Sequence, residues 1–180
     1  MKKSKYVLLD VYFNNPVKYD YIISFLFVYF LKRYFINQHI CIPGIEQIMA
    51  LASETVTILL TLAGFILTFL TVLITFKLDA GKYESKPEED MSLLEKFSHS
   101  GLYFDTTNIF KNSIKSVVFA SLLIYFVRIL SVNLSDEWVF LITVGGVVIL
   151  ILTLARNLFI LDKILEMQKE DRRSNRNQSD

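Results

Sequence analysis

Cysteine is nearly absent. Cys41 is the single one in 180 residues, which excludes an internal disulfide and argues against a thiolate metal site. Proline and glycine are scarce, at 3 and 6. The chain also has no charge bias: 19 Lys and Arg stand against 18 Asp and Glu. That balance by itself says little about partners, and no specific DNA binding is expected. The sequence lacks HExxH, CxxC, GxSxG and a Gly-rich phosphate loop, so no catalytic residue, cofactor or metal site is expected. No cleavable leader is expected either. The basic start Lys2, Lys3, Lys5 is followed by Asp10, Asn14, Asn15 and Asp20 rather than an apolar stretch.

Most informative is where charge is lacking. Ile45 to Phe76 holds no basic residue, and Trp138 to Ala155 holds no charge of either sign. A hydrocarbon layer about 30 Å thick needs roughly 20 apolar residues at about 1.5 Å each, so both runs can span it. A third hydrophobic helix is expected to end near Leu130, with Asp105 or Thr106 as its N-cap. Tyr19 to Ile36 is a fourth candidate. Its uncharged centre, Tyr21 to Leu31, is short, but Lys32 and Arg33 can snorkel and the flanking aromatics can form belts. The expected architecture is an all-α integral membrane bundle of four transmembrane helices.

The chain divides accordingly. Residues 1–18 form an amino-terminal segment, 19–76 helices one and two, and 77–113 a connecting segment. Residues 114–161 form helices three and four, and 162–180 a helix extension with a disordered tail from Asp171. In the connection, Pro87-Glu88-Glu89-Asp90 has the composition of a helix start, and Met91, Leu94 and Phe97 follow as an apolar stripe. Basic residues set the orientation. Lys2, Lys3 and Lys5, Lys77, Lys82 and Lys86, Lys111 and Lys115, and Lys163 to Arg176 all fall on one side of a four-span chain. The positive-inside rule makes that side cytoplasmic, with both termini there and the chain multi-pass in the inner (plasma) membrane. Lys115 and Arg156 then lie near the inner surface, where snorkelling accounts for them. His39 and His99 are on opposite sides and cannot share a metal. Gly145-Gly146 suits close helix approach.

Helix two carries a polar seam. Glu54, Thr57, Thr61, Gly64, Thr68, Thr71 and Thr75 are spaced 3, 4, 3, 4, 3 and 4 apart. That averages 3.5, the repeat which keeps one face toward a partner. Two readings stand. Several copies could turn the seam toward an axis, so that hydroxyls line a pore with Glu54 as a charged ring favouring cations. Alternatively, small and hydroxylated residues let helices approach and hydrogen-bond, making the seam a packing surface for a partner helix. Glu54 and Arg128 lie at similar depths, so an intramembrane ion pair between them, within or between subunits, is a further expectation.

The size, the long Thr-rich second helix, and the segment Lys82 to Ser113 followed by a hydrophobic hairpin resemble the short multi-span effectors of bacterial antiphage operons, the Hailong-type channels among them. The resemblance covers architecture rather than aligned motifs. It implies a gated oligomeric channel whose opening depolarises the host membrane. On that analogy a cytoplasmic regulatory protein or nucleotide-type ligand acts on the cytoplasmic segment and tail. The leading expectation is therefore a homo-oligomeric ion-conducting protein in the lipid bilayer. A non-conducting scaffold or regulatory subunit is the alternative.

Overall fold

A computed structural model describes residues 12, 15–38, 43–80, 96–97 and 100–177. Among them there is no strand, and four long helices carry the fold. These are α1 (Pro16–Gln38), α2 (Ile45–Ala80), α3 (Gly101–Ile129) and α4 (Asp136–Asn177). The helix start expected at Pro87 to Asp90, the stripe residues Met91 and Leu94, and His39, Cys41 and His99 lie outside the described residues.

Local chemistry explains several boundaries. Pro16 opens α1 at the one position where its missing N–H costs nothing. The Gly44 carbonyl accepts the Gln47 and Ile48 amides at 2.9 and 3.1 Å, closing the first turn of α2. A single 3₁₀ turn, Leu130–Asn133, joins α3 to α4. Two boundaries differ from the sequence expectation. Helix α3 begins at Gly101 behind the extended Ser100, so Asp105 and Thr106 lie inside it rather than capping it. The cause is tertiary: Tyr103 is buried, edge-on to Phe97, and its hydroxyl reaches the Leu73 carbonyl of α2 at 3.4 Å. Helix α4 continues to Asn177, through the expected tail. No Gly or Pro interrupts it there.

Helices α2, α3 and α4 form the core, and α1 lies along α4 with its edge against α3. The short connections gather at one end of the bundle, here the turn end. The opposite end carries the start of α1, the start of α3 and the end of α4. Among the described residues three helices are long and apolar enough to cross a membrane: Ile45–Thr75, Gly101–Asn133 and Asp136–Met167. Helix α1 is not among them, yet its 23 residues cover about 34 Å beside α4. Its outward face is aromatic and bare, with Phe25 and Phe30 at 72% and 64% exposure. Near the turn end, Lys32 sits 3.8 Å over the Trp138 ring and 3.8 Å from Glu137.

Core packing is of the kind membrane helices use, where close van der Waals contact replaces the hydrophobic effect. Leu59, Ile66, Phe110, Val117 and Ile124 are fully enclosed, and the Phe69 and Phe110 rings stand 5.0 Å apart. The glycine pair of α4 serves this approach. A Cβ at Gly145 would meet Ser24 and Val28 of α1 at 3.3 Å, and one at Gly146 would meet Ile124 of α3 at 2.3 Å. These two positions allow α1 and α3 to close on α4 from different sides.

Candidate functional site

Helix α2 carries two seams. Ala52, Thr55, Leu59, Leu62, Ile66 and Leu73 are buried against α3 and α4. Their spacing follows the same alternation as the polar series, shifted by two residues. Two residues rotate a helix by about 200°, so the polar series must lie on the opposite face. It does. Glu54, Thr57, Thr61, Gly64, Thr68, Thr71 and Thr75 are all exposed. Among the described residues, the polar seam therefore takes no part in the chain's own packing. From Glu54 to Thr75 it runs about 31 Å, matching a hydrocarbon layer of about 30 Å.

The threonines are internally satisfied. Thr57, Thr61, Thr68, Thr71 and Thr75 each donate to the backbone carbonyl four residues earlier, at 2.8–3.0 Å. Their oxygens retain acceptor capacity directed outward. Gly64 leaves a notch in the middle, where a Cβ would meet nothing within 4 Å beyond its own helical turn. Among the described residues Glu54 has no such internal partner. Arg128 is also exposed, on α3 toward the same end, and among the described residues no ion pair joins the two within the chain.

A second polar site was not anticipated. Arg156 does not snorkel: it is buried, and its Nη1 donates to the Asp20 carboxylate of α1, itself fully enclosed. Nη1 also reaches the Tyr12 hydroxyl at 3.3 Å, and Nη2 donates to Ser113 Oγ of α3 at 2.9 Å. Tyr12 in turn donates to Asp20 at 2.6 Å. Burial, with that hydrogen bond added, pushes the Tyr12 phenol above its ordinary pKa, so it stays protonated at neutral pH.

The geometry of helix direction explains the correction. Side chains lean toward the amino end of their helix. The amino end of α4 is at the turn end, so Arg156 is aimed back into the bundle. On α3, which runs the other way, the same lean aims Lys115 out of it, and Lys115 is exposed. Around the ion pair, Thr153 Oγ1, Arg156 Nε and both side-chain polar atoms of Asn157 are buried without a protein partner among the described residues.

No known protein family, curated protein or solved structure matches this chain.

Function must therefore be read from these two sites. Among the described residues no group of three His, Cys, Asp or Glu side chains converges. The outer seam offers a hydroxyl-lined face of membrane length with one carboxylate. The inner ion pair ties α1 to the core at one end, as Lys32 does with Glu137 and Trp138 at the other. The sequence contained one usable signal for the inner site: an acid and a base, Asp20 and Arg156, each beside an apolar run.

Proposed function

We propose that this chain is the subunit of a homo-oligomeric, ion-conducting membrane protein whose pore is lined by α2. One observation carries the reading: the whole series from Glu54 to Thr75 is exposed on the monomer while the opposite face of α2 is buried. Satisfied threonines tolerate lipid, but an ionised carboxylate at membrane depth does not, and such groups face a bundle interior or a water-filled path. Copies arranged about an axis give Glu54 that path. They also set rings of hydroxyls along the full thickness of the bilayer. Helix α1 is the fourth span in this arrangement, and the basic residues at the terminal end are cytoplasmic. By its resemblance to Hailong-type effectors, the channel opens on a cytoplasmic signal and depolarises the membrane.

The same exposed seam supports a non-conducting subunit that receives a partner helix, and the following experiment separates the two. Purified protein is placed in liposomes and ion flux is measured for wild type, Glu54→Gln and Thr68→Ile. Flux that loses cation preference in the first variant and collapses in the second supports the pore. A chain that is silent and also monomeric in mild detergent refutes it.

A further inference from the structure

We propose that α4 binds a small cluster of internal water molecules on the turn from Thr153 to Asn157, beside the Asp20–Arg156 pair. The site is made of four polar atoms: Thr153 Oγ1, Arg156 Nε, and Asn157 Oδ1 and Nδ2. All four are buried with no protein partner among the described residues. Thr153 is 0% exposed, and Arg156 and Asn157 are 4% exposed.

Helix geometry gathers these atoms. Thr153 stands three residues before Arg156 and four before Asn157, the spacings at which side chains of one helix meet. Side chains of α4 lean toward its amino end, so Arg156 and Asn157 are aimed back over the Thr153 turn. Thr153 also differs from other buried threonines. Thr55 and Thr143 donate to the carbonyl four residues earlier, at 2.7 and 2.8 Å. That is the local bond a helical threonine readily makes. Among the described residues no such bond occupies the Thr153 hydroxyl.

The chemistry selects water over an ion. Asp20 already balances the Arg156 charge, so an anion here would bring an unpaired negative charge into the bundle. A cation would meet the guanidinium. The four atoms are also of mixed kind: Arg156 Nε and Asn157 Nδ2 donate, Asn157 Oδ1 accepts, and Thr153 Oγ1 does both. A halide only accepts and a metal ion binds only acceptors, whereas water serves both and is uncharged. A buried water ordinarily makes about three hydrogen bonds to groups that lack partners, and folded chains hold about one per 27 residues. Leaving a buried hydroxyl and amide unpaired is costly, and bound water removes that penalty.

The site has a route of entry. A cavity of about 930 Å³ opens at the terminal end of the bundle, and Tyr19, Asn112 and Ile160 are among its lining residues. Tyr19 adjoins Asp20, Asn112 adjoins Ser113, and Ile160 lies one turn beyond Asn157. The cavity therefore abuts the polar cluster on its terminal side. A water on Nε leaves Nη1 with Asp20 and carries no charge, so the ion pair keeps its part in fastening α1. The inference does not depend on conduction.

The test joins two measurements on the full chain. Solid-state NMR in liposomes follows magnetisation passed from water to side chains. The Thr153 methyl and the Asn157 side-chain amide should receive it. The Thr143 methyl, equally buried but with its hydroxyl bonded within its helix, should not. Unfolding midpoints in mild detergent give the sign of the energy. Thr153→Val keeps the shape and removes the hydroxyl, and should lower the midpoint by about 2–4 °C, the loss of about one hydrogen bond. Removing a hydroxyl that has no partner at all would raise it instead. Silence at both Thr153 and Asn157 overturns the proposal, as does a midpoint raised by Thr153→Val. A midpoint that follows chloride concentration at constant ionic strength gives the site to an anion and overturns the assignment to water.

Discussion

Replacing Asp20 by Asn removes the only carboxylate that faces Arg156 among the described residues. The guanidinium side chain is 1% exposed and Asp20 0%, so bulk water cannot take over the lost interaction. The protein groups that remain to Arg156 are the Ser113 hydroxyl at 2.9 Å and the Tyr12 hydroxyl at 3.3 Å. Neutral hydrogen bonds contribute about 1 kcal/mol each and leave the charge uncompensated. Removing one partner of a buried ion pair costs about 3–5 kcal/mol, whereas replacing both with uncharged groups is often near neutral. Asp20→Asn and Arg156→Met should therefore each destabilise the fold by about 3–5 kcal/mol. The double variant should lose far less than their sum. For a chain of this size about 2–4 °C accompanies each kcal/mol, so each single variant should melt about 6–20 °C lower. Reversible unfolding in mixed micelles, followed by circular dichroism across the four-member cycle, measures both the losses and the coupling. Single losses under about 1 kcal/mol, or a double variant equal to the sum, would refute the argument that this pair anchors α1.

The two kinds of helical glycine should respond oppositely to the same change. Gly146→Leu should destabilise the monomer by about 1–3 kcal/mol or more, because its Cβ already meets Ile124 at 2.3 Å. Gly64→Leu has open space around it and should leave the unfolding midpoint unchanged or slightly raised. Its effect should appear only as lost oligomer in cross-linking, and an intact oligomer would count against the seam as an interface. The Tyr12 phenol gives a pH signature. Its folded pKa lies above the ordinary value, so its contribution is complete below that value and is lost as pH rises through the folded one. Tyr12→Phe should flatten this alkaline limb in a pH series of unfolding midpoints, and an unchanged limb would assign it to other groups.

Much of the architecture was legible because hydrocarbon imposes simple demands on a sequence. Long stretches free of charge marked α2 and α4, whereas the first helix starts at Pro16, three residues before the expected Tyr19. The seam on α2 was legible as a period. Its direction was not, since a 3.5-residue repeat states only that one face differs. Its neighbour two residues away, Ala52 to Leu73, has the same repeat and faces inward. Which seam is buried depends on the shapes that α3 and α4 present.

The start of α3 was misplaced for a related reason. Asp105 and Thr106 are good local caps, but burying Tyr103 beside Phe97 and Leu73 outweighed local preference. Arg156 was misread because nearness to the membrane surface was weighed without helix direction. Lys115 and Arg156 sit toward the same end of the bundle, yet one is exposed and the other enclosed.

By itself, then, the sequence determined helix count, the apolar spans, and the existence of a polar face as long as the bilayer is thick. These follow from composition and period along one helix at a time. Only the tertiary structure decided that this face points away from the chain's own core and that Asp20 meets Arg156 across 136 residues. Both depend on how helices from distant parts of the chain are rotated and directed against one another, and no local pattern encodes that.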